Sequence, residues 1–280
     1  MKKLLNKYIP LLYGAYFNLV AIFSKKGAAK KAFDLFCTPR RGMVLPQQKA
    51  YLESAKKEVV ESNNIHLQVY EWPGEKETIL VVHGWESNAF RWKNLIGFLQ
   101  EEKYNIIAFD APAHGHSSGT ILNIPLYAKV MQTLVQKYNP KHIIGHSYGG
   151  MTTLYNNYLN SNEAVDKLVI LGAPSEFRTI LLDYQKLLHF NNIVLEALKA
   201  YIKNTFGFEA EAFSISDYVK TNIKKGLLIH DKFDEIAPCS DSELVHKNWA
   251  NSSLIKTEGF GHSLHQEEVS RAIVKFLKEN

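Results

Sequence analysis

Cysteine is nearly absent from this chain: only Cys37 and Cys239 occur in 280 residues. Two widely separated thiols cannot frame a disulfide-stapled fold and suit a reducing, cytoplasmic compartment. Long apolar runs are also missing. The amino-terminal segment repeats apolar residues at helical spacing, through Leu4, Leu5, Tyr8, Leu11, Leu12, Ala15, Leu19, Ile22 and Phe23, with Lys3, Asn6, Lys7, Asn18 and Ser24 mostly elsewhere around the helix. It holds no uninterrupted span suited to a transmembrane helix, and no Ala-x-Ala cleavage site follows. It reads as an amphipathic helix packed on its own domain, with peripheral membrane contact, kept open by the flanking Lys25, Lys26, Lys30 and Lys31, and a true anchor or signal as the alternatives.

Other absences narrow the field. Net charge is +5, yet no basic run with interleaved aromatics occurs, so nucleic acid is not an expected partner. No Walker or dinucleotide-type phosphate cradle is present, which disfavours nucleotide use. His83, His114, His116 and His146 gather near expected strand ends, but no third and fourth ligands stand at a recognised metal spacing. Internal repeats and low-complexity tracts are absent. What is present, 46% apolar and 22% charged residues, is the composition of an ordinary globular protein. The length suits a helical extension over residues 1–55 followed by one domain over 56–280.

Glu58 to Ser62 and Ile65 to Trp72 read as a hairpin turning at Asn63-Asn64. From Thr78 onward, short β-branched runs alternate with helical stretches, the signature of a parallel sheet with crossover helices. Strands are expected at Thr78–His83, Asn105–Asp110, His142–His146, Leu168–Gly172, Gly226–His230 and Ser253–Thr257. Helices are expected at Arg91–Glu101, Leu126–Tyr138, Tyr148–Leu159, Ser240–Ala250 and Leu264–Lys278. About fifty residues separate the strand ending near Gly172 from that starting at Gly226, far more than an ordinary connection needs. Residues 176–224 therefore read as a helical lid whose Tyr184, Leu187, Leu188, Phe190, Leu195, Leu198, Tyr201, Phe206, Phe208 and Phe213 form an apolar underside.

The sharpest motif is Gly145-His146-Ser147-Tyr148-Gly149-Gly150, between an apolar strand and a helical pattern. A serine on a strained strand-to-helix turn needs glycines two before and two after, where side chains would collide with neighbouring backbone. Its hydroxyl is a poor nucleophile at neutral pH and requires a base. His262, in Glu258-Gly259-Phe260-Gly261-His262-Ser263, follows the last strand on a loop at the carboxyl edge and is the candidate; His265 is its rival but is expected inside the final helix. Asp234, after the penultimate strand, is the candidate carboxylate to orient the imidazole, with Asp231 and Glu176 as substitutes. Backbone amides of Tyr148, next to the serine, and Trp85, in Val82-His83-Gly84-Trp85, are the candidate oxyanion donors.

These motifs, together with Asp110-Ala111-Pro112-Ala113-His114-Gly115-His116-Ser117, resemble the α/β-hydrolase superfamily in its esterase and lipase branch, from about Glu58 to Glu279. Ala113 stands where that family's turn usually has its first glycine. The resemblance implies an α/β fold with a mostly parallel eight-stranded sheet flanked by helices, a helical lid inserted after the sixth strand, and no metal or organic cofactor. Serine at the elbow argues against the dehalogenase branch. The expected activity is cleavage of an ester or related acyl bond in a small apolar substrate through an acyl-enzyme. Acyl transfer through the same residues and non-catalytic binding on the same fold are the alternatives.

Overall fold

The computed structural model describes residues 2–279, with side chains from Tyr8 onward; those of Leu4, Leu5, Lys3, Asn6 and Lys7 lie outside the described residues. Eleven α-helices and eight strands are described. In chain order the helices are α1 Lys2–Phe23, α2 Lys25–Cys37, α3 Pro46–Glu53, α4 Lys93–Glu101, α5 Ile124–Tyr138, α6 Tyr148–Leu159, α7 Phe177–Leu188, α8 Asn192–Phe206, α9 Ile215–Tyr218, α10 Cys239–Asn248 and α11 Glu267–Lys278. The strands are β1 Lys56–Ser62, β2 Ile65–Trp72, β3 Thr78–Val82, β4 Asn105–Phe109, β5 His142–His146, β6 Lys167–Leu171, β7 Lys225–Asp231 and β8 Ser252–Thr257. The chain divides into two compact units, residues 1–38 with 176–214, and residues 39–175 with 215–280.

The larger unit holds the sheet, ordered β1-β2-β4-β3-β5-β6-β7-β8. β1 and β2 form an antiparallel hairpin, β2 runs antiparallel to β4, and all further pairs are parallel. The hairpin closes because Asn63 and Asn64 both take positive φ, 53° and 60°, as a two-residue turn matched to strand twist demands. The central strands β5 and β6 are buried along their whole length. Buried on both faces, they read as continuous apolar runs, which is why their positions are legible in sequence. The edge strand β8 instead alternates between half-buried and exposed positions. On one face Ile79, Val81, Ile144, Val169 and Ile229 pack with Trp92, Ile96 and Leu99 near and in α4 and with Ile273 and Leu277 of α11. On the other, Phe109 meets Tyr127 of α5 with ring centroids 5.8 Å apart. Lys167, buried at the start of β6, donates to the carbonyls of Phe276 and Leu277 at the end of α11, satisfying acceptors that a helix end leaves open.

Two expected helices start later than their pattern suggests. The stretch beginning at Arg91 opens as a 3₁₀ turn over Ala89–Trp92, because Asn88 caps the Phe90 amide and Asp110 captures the Ala89 amide. The last helix begins at Glu267, not Leu264, since Leu264 sits at φ 49° and Gln266 is the N-cap. His265 thus lies on the preceding loop, a correction to its expected place inside the helix.

The smaller unit joins the first two helices to the insertion that follows β6. Phe17 meets Phe190, Phe33 meets Tyr201 and Phe206, and Phe36 meets Tyr184 and Phe177, at centroid distances of 4.9–6.4 Å. Tyr184 also donates to the Ala32 carbonyl. Of the aromatics expected to line a lid's underside, Tyr184, Phe190, Tyr201 and Phe206 therefore pack on α1 and α2, Phe208 and Phe213 meet other aromatics of the insertion, and Leu187 is exposed. Residues 215–224, expected as the end of that lid, belong to the larger unit.

Candidate active site

Ser147 stands between the end of β5 and the start of α6 at φ 53°, ψ −123°, a conformation that an L-residue adopts only when its surroundings impose it. The imposition is visible. A Cβ on Gly149 would come within 2.3 Å of the Val82 carbonyl oxygen, and one on Gly145 within 2.7 Å of the Gly149 oxygen. The turn is so tight that only glycine fits at either position.

The hydroxyl Oγ lies 2.9 Å from His262 Nε2, and His262 Nδ1 lies 2.7 Å from Asp234 Oδ2. An ionised carboxylate only accepts, so the Nδ1 proton faces Asp234 and the Nε2 lone pair faces the serine. The Asp234 side chain is buried; its Oδ1 accepts from the amides of Ile236 (2.8 Å) and Ala237 (3.1 Å), and Oδ2 is 3.3 Å from His230 Nε2. Burial alone would raise its pKa, but hydrogen bonds from His230, His262 and these amides outweigh it and hold the carboxyl well below the usual range. Asp231 cannot take this place, since its carboxylate accepts from Thr257 Oγ1 and the Phe233 and Phe260 amides, tying β7 to the loop after β8. Glu176 accepts from Ser214 within the smaller unit.

Beside the serine, the Gly84 peptide is set by His83. A Cβ on Gly84 would stand 3.0 Å from Ser147 Cβ. His83 accepts the Ala111 amide at Nε2 (2.8 Å), so its Nδ1 carries the proton and donates to the Gly84 carbonyl (2.7 Å). Because the peptide is planar and trans, holding that carbonyl fixes the opposite direction for the Trp85 N–H, which has no hydrogen-bond partner among the described residues. His114 repeats the device: Nε2 accepts the Glu86 amide (3.0 Å) and Nδ1 donates to the Pro112 carbonyl (2.9 Å). Burial depresses the pKa of both histidines, that of His83 to about 3, so both stay neutral. The Tyr148 amide opens α6, and the Trp85 and Tyr148 rings meet edge to face at 5.7 Å.

Sequence reasoning missed the supports of the histidine loop. His146 Nε2 donates to the His262 carbonyl (2.8 Å) and its ring lies 4.9 Å from that of His262. Arg91 donates to the next carbonyl, Ser263 (2.9 Å). His230 was visible only as a strand end, although its ring bridges Ser242, Ala237 and Asp234. The signal for His146 was its place directly before Ser147, the candidate nucleophile. The turn after β4 keeps its geometry without the family's glycine, for Ala113 itself adopts φ 63°.

Residues 77–190 match the family described as the alpha/beta hydrolase fold. The Bacillus subtilis hydrolase YugF is 26% identical over 229 residues, covering 78% of this chain and 69% of YugF. A human serine hydrolase-like protein is 32% identical over 103 residues, covering 34% of this chain and 49% of its own length. The esterase EaEST from Exiguobacterium antarcticum superposes with a TM-score of 0.64 at 19% identity, covering 80% of this chain and 100% of the esterase. The chain has the fold of these α/β hydrolases. Its sheet order and the helical insertion after β6 follow the α/β-hydrolase topology.

Proposed function

We propose that this chain cleaves an ester or related acyl bond of a small apolar substrate, with Ser147 as nucleophile, His262 as general base and Asp234 as the carboxylate that orients and stabilises the imidazolium. The observation that carries this reading is the unbroken line from Ser147 Oγ through His262 to Asp234, with contacts of 2.9 and 2.7 Å, on a backbone turn at φ 53°. In the first half-reaction Oγ attacks the acyl carbon while its proton passes to His262 Nε2. The carbonyl oxygen becomes an oxyanion, and the Trp85 and Tyr148 amides are the donors assigned to it. Collapse expels the leaving group, which takes the proton back from Nε2, and leaves an acyl-enzyme on Ser147. Water then attacks with His262 again as base, releasing the acid.

The supporting relatives share the scaffold; the substrate assignment rests on the superfamily and on the aromatic pair Trp85 and Tyr148 beside the nucleophile. A cytoplasmic location, supported by the free cysteines Cys37 and Cys239, and peripheral membrane contact through the first helix complete the proposal.

The test is labelling by a fluorophosphonate, whose capture requires an activated hydroxyl. Wild type should label at Ser147 with loss of esterase turnover. Ser147→Ala should label nowhere and lose about four to six orders of magnitude in kcat, with binding of a substrate analogue largely kept. Near-wild-type turnover by Ser147→Ala would refute the assignment.

A further inference from the structure

From Tyr8 to Phe23, α1 contains no charged residue. Its inner side is fixed within its own unit: Phe17 and Ala21 are buried, Asn18 accepts the Asn191 amide (2.8 Å), and a Cβ on Gly14 would clash with the Leu188 carbonyl oxygen at 1.8 Å. This seating decides which residues point outward. Exposed are Tyr8, Leu12, Ala15, Leu19, Ile22 and Phe23, all members of the stripe whose periodicity predicts a packed face, with Tyr13 and Tyr16 beside them. Leu12 is 68% exposed, Leu19 57%, Ile22 74% and Phe23 85%. Single exposed apolar side chains are ordinary, but a continuous row about 24 Å long over a stretch without a charged residue marks a surface that meets something other than water.

Charge decides between occupants. The chain has seven lysines and no acidic residue before Asp34, so both ends of the apolar row are cationic. Lys25 and Lys26 are exposed directly beyond Phe23 and carry no ion pair among the described residues, whereas Lys30 is paired with Asp34 at 2.7 Å. A second copy docked face to face would set lysine clusters against each other with no carboxylate between them. An anionic lipid surface supplies both needs, acyl chains for the row and phosphates for the lysines. No described helix is long and apolar enough to cross a membrane, so the contact lies in the interface plane.

We propose that the outer face of α1 seats in the headgroup–acyl boundary of an anionic leaflet, with Leu12, Leu19, Ile22 and Phe23 turned into the acyl region and Lys25 and Lys26 on headgroup phosphates. This deepens the membrane contact above and rests on the hydrolase reading only for what the protein does once there.

The experiment is co-sedimentation of the full chain with vesicles of phosphatidylcholine alone and of phosphatidylcholine mixed with phosphatidylglycerol. Wild type should partition strongly to the mixed vesicles only. Lys25→Gln with Lys26→Gln should weaken that partition about twenty-fivefold, from about fivefold per lysine. Leu19→Glu with Ile22→Glu, both exposed and free of packing duties, should abolish it. Turnover of a short soluble ester without vesicles should be unchanged in all variants, and loss of fluorophosphonate capture with vesicle binding intact would count against the hydrolase reading alone. No binding by wild type, equal binding to both vesicle types, or a soluble dimer that becomes monomeric in Leu19→Glu with Ile22→Glu would each overturn the lipid assignment.

Discussion

Lowering the pH into the mildly acid range should destabilise this protein well before its carboxylates protonate. His83 and His142 are buried, and burial pushes their pKa from 6.5 down to about 3 and about 4, respectively. A folded pKa below the unfolded value means that the unfolded chain binds protons which the folded chain refuses. Their stabilising contribution is therefore whole above pH 6.5 and is lost as pH falls toward the folded pKa. Between about pH 7.5 and about pH 5, each such histidine removes about 2 kcal/mol, so the two remove about 4 kcal/mol from a total that for a domain is about 5–15 kcal/mol. His114 and His146, also buried with depressed pKa, act in the same direction. Equilibrium urea unfolding followed by tryptophan fluorescence at the two pH values measures the loss. His142→Phe supplies the control, since the buried Nδ1 of His142 has no hydrogen-bond partner to lose, and it should recover about 2 kcal/mol at about pH 5. Equal unfolding free energies at both pH values would refute the claim that these rings are held neutral.

Two further outcomes follow from the site's surroundings. Ala113→Gly should stabilise the fold by about 0.5–1 kcal/mol, because relief of an Ala at φ 63° exceeds the entropy cost of glycine, and a rise in Tm of roughly 1–3 °C would register it. His146→Phe should lower kcat about 10- to 100-fold with KM little changed and slow fluorophosphonate capture in step, while His146→Gln, able to donate to the same His262 carbonyl, should regain part of the rate; unchanged capture in the Phe variant would remove His146 from any positioning role.

The strands were legible because central parallel strands are apolar on both faces, and the candidate triad was legible because its members follow strand ends in the order serine, aspartate, histidine. What stayed hidden depends on partners distant in sequence. Periodicity in α1 groups Leu12, Leu19 and Ile22 on one side but cannot say which side finds a neighbour; Gly14 and Asn18, which look like weak points in the pattern, are what seat the helix. The insertion's aromatics were equally ambiguous until Phe33 and Phe36 appeared opposite Tyr201 and Tyr184. The late start of α11 was invisible because nothing in the identity of Leu264 announces φ 49°.

The histidines show most clearly why residue type alone underdetermines chemistry. His83, His114, His146 and His262 look interchangeable in sequence, and three of them were weighed together as metal ligands. Their neighbours separate them. The Nε2 lone pairs of His83 and His114 are engaged by the Ala111 and Glu86 amides, and their Nδ1 protons by backbone carbonyls, so neither ring can take up a proton or a metal without breaking the loops it holds. His146 directs its Nε2 proton at the His262 carbonyl and keeps a buried, unpartnered Nδ1 that burial forbids to protonate. His262 differs from all three: its protonated nitrogen faces a carboxylate that stabilises a cation, and its basic nitrogen faces a hydroxyl. The proposed base must gain a proton and return it within each turnover, and of these four rings only that of His262 stands between a carboxylate and a hydroxyl.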